Sequence, residues 1–264
     1  MQQRQKEKST TQKEKNNLPR VLLGCPINIV KDYCMDQWLD HIKNLTYPNY
    51  DIYLVDNSKN KEYHKKLRQK HFLKIDYVAP SDREVRFAMA DSLEKIRQRV
   101  VKRKYDYLLS IECDIFPPFE IIELLMAHDK DVVGTSYLTG HGKDTFLQLL
   151  YLKNVTDVDY VSDFYEWPEI LKFYNGKVNY AYANGIGCSL IKSNILEQLV
   201  FRVTENEAGF PDSFFHKDLF MLGIKNYVDT TILPYHWNSR WNTVPGDTQH
   251  ALMWQNIRNN LNKF

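Results

Sequence analysis

The stretch Tyr105–Pro118 runs YDYLLSIECDIFPP. Its apolar run, Tyr107, Leu108, Leu109 and Ile111, stops at Glu112-Cys113-Asp114, and Pro117-Pro118 close the segment. An apolar run of this length bounded by turn signals reads as a buried strand of a mostly parallel sheet. Two carboxylates one residue apart at its end are costly to bury unless something positive meets them. In open α/β sheets ligands sit outside the carboxyl ends of the strands, which is where Glu112 and Asp114 fall. Mg²⁺ or Mn²⁺ carrying phosphate oxygens suits such a pair, since these hard cations take one or two carboxylates plus substrate phosphates. The plain alternative is a pair of strand-end acids facing water or an arginine.

Working outward, strand and helix alternate on the N-terminal side. Arg20–Ile29 reads as a strand breaking at Cys25-Pro26, Asp32–Asn44 as a helix, and Tyr50–Val55 as a strand ending in Asp56-Asn57-Ser58. A polar helix over 60–70, a short strand Lys74–Val78 and an amphipathic helix Glu84–Arg103 follow, the last on the helical spacing of Val85, Met89, Leu93, Ile96 and Val100. This alternation predicts right-handed crossovers and a parallel sheet. No GxGxxG or GxxxxGK[ST] follows the first strand, which removes the usual dinucleotide and P-loop readings.

On the C-terminal side the pattern predicts a helix Phe119–His128 and a strand Asp131–Tyr137. Residues 138 to 180 read as an irregular, aromatic-rich segment, a binding loop or a small extra β element. Tyr182–Ile191 is punctuated by Gly185 and Gly187, which allow close backbone approach to a ligand. Ser193 reads as the cap of a helix through Leu199, Ser213–Leu222 as a helix, and Asn226–Leu233 as a strand leading to His236. A polar loop Trp237–Asp247 and a last helix with Ala251, Trp254, Ile257 and Leu261 inward complete the chain.

Composition narrows the class. With 264 residues, 43% hydrophobic and 26% charged, the chain suits one α/β domain over 18–264 after a disordered polar tail, 1–17. A net charge of +2 argues against a dedicated nucleic-acid binder. Cys25, Cys34, Cys113 and Cys188 form no CxxC or zinc-like spacing and read as free thiols of a reducing compartment. No apolar run nears the ~18 residues of a membrane span, so the expected location is cytoplasmic.

The ordered motifs resemble the family-2-like glycosyltransferases of GT-A fold. The first strand ends near Pro26, as in that family, and Asp56 in VDNS matches its nucleotide-contacting Asp. Arg86, in REVRFAMADS, resembles the Arg-containing segment placed before the D-x-D strand, and Glu112-Cys113-Asp114 stands for D-x-D. By resemblance, Asp114 is the direct metal ligand and Glu112 faces the ribose or a metal-bound water. The stretch NGIGCSLI, with Gly185 and Gly187, is similar to the segment lining the acceptor side. Gly223 follows Asp212 by eleven residues and His236 follows Gly223 by thirteen, as the family pattern has it. Pro211 stands where that family has Glu.

The resemblance implies a single GT-A (Rossmann-like) α/β domain with a mostly parallel central sheet flanked by helices. It implies a metal-dependent, inverting hexosyl transfer from a UDP- or GDP-sugar, with Mn²⁺ or Mg²⁺ held by Glu112, Asp114 and His236. Asp212 is the implied general base, and Pro26, Asp56, Arg86, Glu112 and Asp114 the donor-binding residues. Gly185, Gly187 and Trp237 are assigned to the acceptor, with Trp167, Arg240 and Trp241 as further stacking or flap candidates. The acceptor reads as a glycan hydroxyl or a hydroxymethylated base of phage DNA. A catalytically degenerate nucleotide-sugar-binding protein is the competing class. Each residue also has a plain reading: Asp212 as a helix N-cap, His236 as a strand-end histidine, Asp56 as a turn.

Overall fold

The computed structural model describes residues 17–71, 73–80, 84–141, 144–147, 150–155, 160–164 and 170–237. The N-terminal half runs β1 (Val21–Ile27), α1 (Asp32–Ile42), β2 (Tyr50–Asp56), α2 (Lys61–His71), β3 (Ile75–Tyr77), α3 (Val85–Lys102) and β4 (Tyr107–Ile111). Then come β5 (Ile115–Phe116), α4 (Ile121–Met126), β6 (Val132–Gly134), and the strands β7 (Leu138–His141), β8 (Asp144–Leu147), β9 (Leu150–Val155) and β10 (Tyr160–Phe164). The remainder is α5 (Ile170–Phe173), β11 (Val178–Tyr180), β12 (Cys188–Lys192), α6 (Ser193–Gln198), α7 (Pro211–Met221), β13 (Asn226–Asp229) and β14 (Tyr235–His236).

Eight strands form one sheet in the order β11-β13-β6-β12-β4-β1-β2-β3. β1 pairs in parallel with β2 and β4, β2 with β3, and β6 with β13. The sheet is mostly parallel, as expected; β12 lies antiparallel between β4 and β6, and β11 antiparallel to β13. The Gly-punctuated segment enters the sheet as β12, directly beside β4, so the acid-bearing strand has one antiparallel neighbour.

Apolar residues of β1 alternate between the two faces. Val21, Leu23 and Cys25 join Met35, Trp38, Leu39 and Ile42 of α1, with Leu67 of α2 and Ile121 and Leu125 of α4. Leu22 joins Leu93, Ile96 and Val100 of α3, with Leu196 of α6 and Phe215 and Leu219 of α7. Helices therefore cover both faces, which is why these strands read as continuous apolar runs. Each fully buried side chain of this size contributes roughly 1.5–3 kcal/mol. Gly24 lets α3 press onto β1: a Cβ there would lie 2.3 Å from Ile96 Cγ2.

Other expectations are adjusted. Ser193 is the first residue of α6, with Lys192 at the cap position and no side-chain cap; the Ser193 amide donates to Asp106 O (2.9 Å). The helix expected from Ser213 begins at Pro211, whose fixed φ and missing N–H suit a first helical position. The strand expected through Leu233 stops at Asp229, whose Oδ1 accepts from the Thr231 amide and hydroxyl and turns the chain. Residues 138 to 180 hold two antiparallel strand pairs, β7 with β8 and β9 with β10, so the extra-β alternative is the observed one. The tail before residue 17, Trp167, Arg240, Trp241 and the last expected helix lie outside the described residues. No described helix is long and apolar enough to cross a membrane, and all four cysteines are buried and free.

Candidate active site

β4, an interior strand, brings the two acids to its carboxyl end. Ile111 ends the strand, and the Ile115 amide donates to Glu112 O (3.1 Å), folding residues 112–115 into a tight turn. Cys113 is buried in the core, so Glu112 and Asp114 flank it on the ligand side. This is why the two acids are two residues apart.

His236 reaches Asp114 across 122 residues because β14 pairs antiparallel with the two-residue strand β5. The Trp237 amide donates to Asp114 O at 2.8 Å and locks that register. His236 Nε2 lies 3.2 Å from Asp114 Oδ2, and the ammonium of Lys31 is bonded to the same oxygen. Tyr33 Oη lies 3.3 Å from that oxygen and donates to Trp237 O at 2.8 Å. Burial alone would raise the Asp114 carboxyl, but His236 and Lys31 outweigh it and hold the group below its ordinary range. Glu112 moves the other way: burial and the neighbouring Asp114 raise it. It accepts from the Tyr137 hydroxyl at 3.2 Å.

A ligand atom from each of Glu112, Asp114 and His236 lies within 4.8 Å of the others. Two carboxylates and an imidazole suit Mn²⁺ or Mg²⁺. Asp114 Oδ1 is buried and makes no hydrogen bond among the described residues. A buried carboxylate oxygen without a hydrogen bond, in such a triad, fits a cation ligand.

Two cavities meet at this turn, and Pro26, Met89 and Glu112 line both. One, about 520 Å³, runs along Asn28, Lys31, Asn57, Lys59, Asn60 and Asp114. The other, about 390 Å³, is lined by Tyr137, Ile186, Asp212, Ser213 and His236. Asp212 sits in the first turn of α7 and accepts from the Ser213 amide at 2.8 Å. Burial raises its carboxyl. The N-cap is Phe210, so Asp212 does not cap the helix.

The remaining sequence candidates are placed as follows. Asp56 is fully buried and lines neither cavity, its Oδ1 accepting from Ser58 N (2.9 Å) and Ser58 Oγ (2.6 Å), while the next residue, Asn57, lines the larger one. Arg86 lines neither cavity: its guanidinium donates to Thr204 O (2.9 Å), Glu207 O (2.8 Å) and Glu84, tying α3 to the loop before α7. Gly185 has φ +71, which favours glycine, and Gly187 packs against the Glu112–Tyr137 pair. The Trp237 ring lies edge-on to Tyr33 with centroids 6.3 Å apart. Lys31, Tyr33 and Tyr137 were not singled out from sequence. Lys31 and Tyr33 lie four to six residues past the end of β1, a position whose proximity to the turn at Asp114 only the parallel β1–β4 pairing reveals.

No family model and no curated protein matches this chain. Among solved structures it is similar to the mannosyltransferase PcManGT of Pyrobaculum calidifontis, in complex with GDP-Man and Mn²⁺, at TM-score 0.54 and 14% identity over 86% of this chain and 59% of that one. TarS of S. aureus (residues 1–349) aligns at TM-score 0.45 and 14% identity, over 81% of this chain and 57% of that one. The chain thus spans less than two thirds of these proteins. On its sheet order, its strand-end site and the likeness to the mannosyltransferase, the chain has the GT-A-like fold of nucleotide-sugar glycosyltransferases.

Proposed function

We propose that this chain is a metal-dependent, inverting glycosyltransferase of hexosyltransferase type, moving a sugar from a UDP- or GDP-sugar to an acceptor hydroxyl. The observation that carries this reading is the convergence of Glu112, Asp114 and His236 where two cavities meet, with Asp212 on the wall of the smaller one. The mannosyltransferase of like fold was crystallised with a nucleotide sugar and Mn²⁺, which supports the same pairing of ligands here.

Mn²⁺ or Mg²⁺, when bound, supplies Lewis-acid neutralisation of the charge that develops on the departing diphosphate. The chain's own residues do the rest. Asn28, Asn57 and Asn60 offer amide donors and acceptors to a nucleoside in the larger cavity, beside the aliphatic Ile27 and Met89. Glu112, at the junction, accepts a sugar or ribose hydroxyl while Tyr137 fixes its carboxylate. Asp212 accepts the acceptor hydroxyl's proton, and its raised pKa makes it a stronger base than an exposed aspartate. Asp212 is the one protein base assigned here and no nucleophile is, so the sugar transfers in one displacement and its anomeric configuration inverts.

The test is a screen of UDP- and GDP-sugars for binding and slow hydrolysis with and without Mn²⁺, on wild type and Asp114→Ala. Metal-dependent turnover of one donor, lost in the variant, is expected. NMR of the transferred sugar then reads its configuration. Turnover that ignores the metal or the variant, or a retained configuration, overturns the corresponding half of the reading.

A further inference from the structure

Lys31 closes the 3-10 turn Ile29–Lys31 between β1 and α1. Its ammonium bonds Asp114 Oδ2, and its side chain, 32% exposed, lines the larger cavity beside Asn28 and Asn60. An ammonium has three N–H donors, and among the described residues only Asp114 is bonded to it. On Asp114, Oδ2 faces Lys31 and His236, while Oδ1 makes no hydrogen bond among the described residues. A protein cation therefore stands on the cavity side of the acid pair.

We propose that Lys31 is a diphosphate-binding residue of the donor site, presenting its remaining N–H donors to the phosphates while Asp114 holds it in place. This rests on the glycosyltransferase reading, and it makes nucleoside-diphosphate recognition only partly dependent on metal. A lysine acts here as a compact point charge, which suits phosphate without a bidentate fit.

The experiment is calorimetric binding of GDP, UDP and the nucleosides guanosine and uridine, in EDTA and in Mn²⁺, to wild type, Lys31→Met and Lys31→Arg. In EDTA, wild type is expected to bind one of the diphosphates. Lys31→Met should weaken that binding at least tenfold, Lys31→Arg less than threefold, and nucleoside affinity should not move. Equal affinities for wild type and Lys31→Met overturn the proposal, as do absent diphosphate binding in EDTA and a parallel loss of nucleoside binding. Should Lys31→Met fail to fold, protection of Lys31 from amine acetylation, read by mass spectrometry, replaces it: GDP or UDP protects and the nucleoside does not, whereas equal labelling refutes the role. Loss of Mn²⁺-dependent donor turnover in wild type would instead strike the parent reading. Turnover with a silent Lys31 strikes this inference alone.

Discussion

Gly187 is the residue on which the geometry of the acid pair depends most sharply. An alanine Cβ there would lie 2.3 Å from Tyr137 Oη, 2.7 Å from Tyr137 Cζ and 2.8 Å from Glu112 Oε1. Tyr137 is buried and packs edge-on to His236, ring centroids 5.4 Å apart at 84°, so it cannot swing away without disturbing the histidine. Ordinary contact requires a retreat of roughly 1 Å, an overpacking that costs about 1–3 kcal/mol. Losing the Tyr137–Glu112 hydrogen bond adds about 1 kcal/mol. For a chain of this size the sum lowers Tm by about 5–10 °C. The assay is thermal unfolding by circular dichroism, paired with Mn²⁺ titration, on Gly187→Ala and on Gly187→Ala/Tyr137→Phe. The double variant removes the closest contact but leaves the ring carbon, so about half the loss should return. A Gly187→Ala Tm within about 1 °C of wild type, with unchanged Mn²⁺ affinity, would refute this packing.

Burial drops His216 from 6.5 to about 4, so it folds neutral; its contribution is present above about pH 6.5 and lost as pH falls toward 4. Urea unfolding should thus lose roughly 2 kcal/mol more between pH 7 and 5 in wild type than in His216→Gln, and equal losses would count against it. Asp212→Asn should cut kcat at least ~100-fold with donor KM little changed, and the acid limb of the wild-type kcat/KM profile should lie above the usual carboxylate range because burial raises this group. Retained kcat, or an acid limb in the ordinary range, removes the base from Asp212. Arg86→Met leaves two loop carbonyls without their donor and should cost about 2 kcal/mol of stability while donor affinity holds. Lost affinity at unchanged stability would restore Arg86 to the donor site.

The parts of this molecule legible in the sequence are those written in local patterns. β1, β2, β4 and the helices α1 and α3 follow from apolar runs and helical spacing, and the acids at the end of β4 from an apolar run stopping short. What local pattern cannot show is pairing over distance. The antiparallel entry of β12 turns on which strand it lies beside, and the β5–β14 ladder that carries His236 to Asp114 is two residues long on each side. Lys31 and Tyr33 are ordinary residues of a turn and a helix start until β1 and β4 are neighbours. Arg86 shows the converse limit: its Nη1 donates to carbonyls more than a hundred residues away, contacts that no local motif displays. Asp212 and His236, separated along the chain by α7 and β13, both line the smaller cavity.

The central claim is that Glu112, Asp114 and His236 form a divalent-cation site at the mouth of the donor cavity, and Mn²⁺ electron paramagnetic resonance tests it most directly. Titrating the full chain should show one bound Mn²⁺ per molecule, with the site lost in Asp114→Asn and weakened at least tenfold in His236→Ala. Stoichiometric Mn²⁺ that survives both substitutions, or no binding to a folded wild type with a nucleoside diphosphate present, would contradict it.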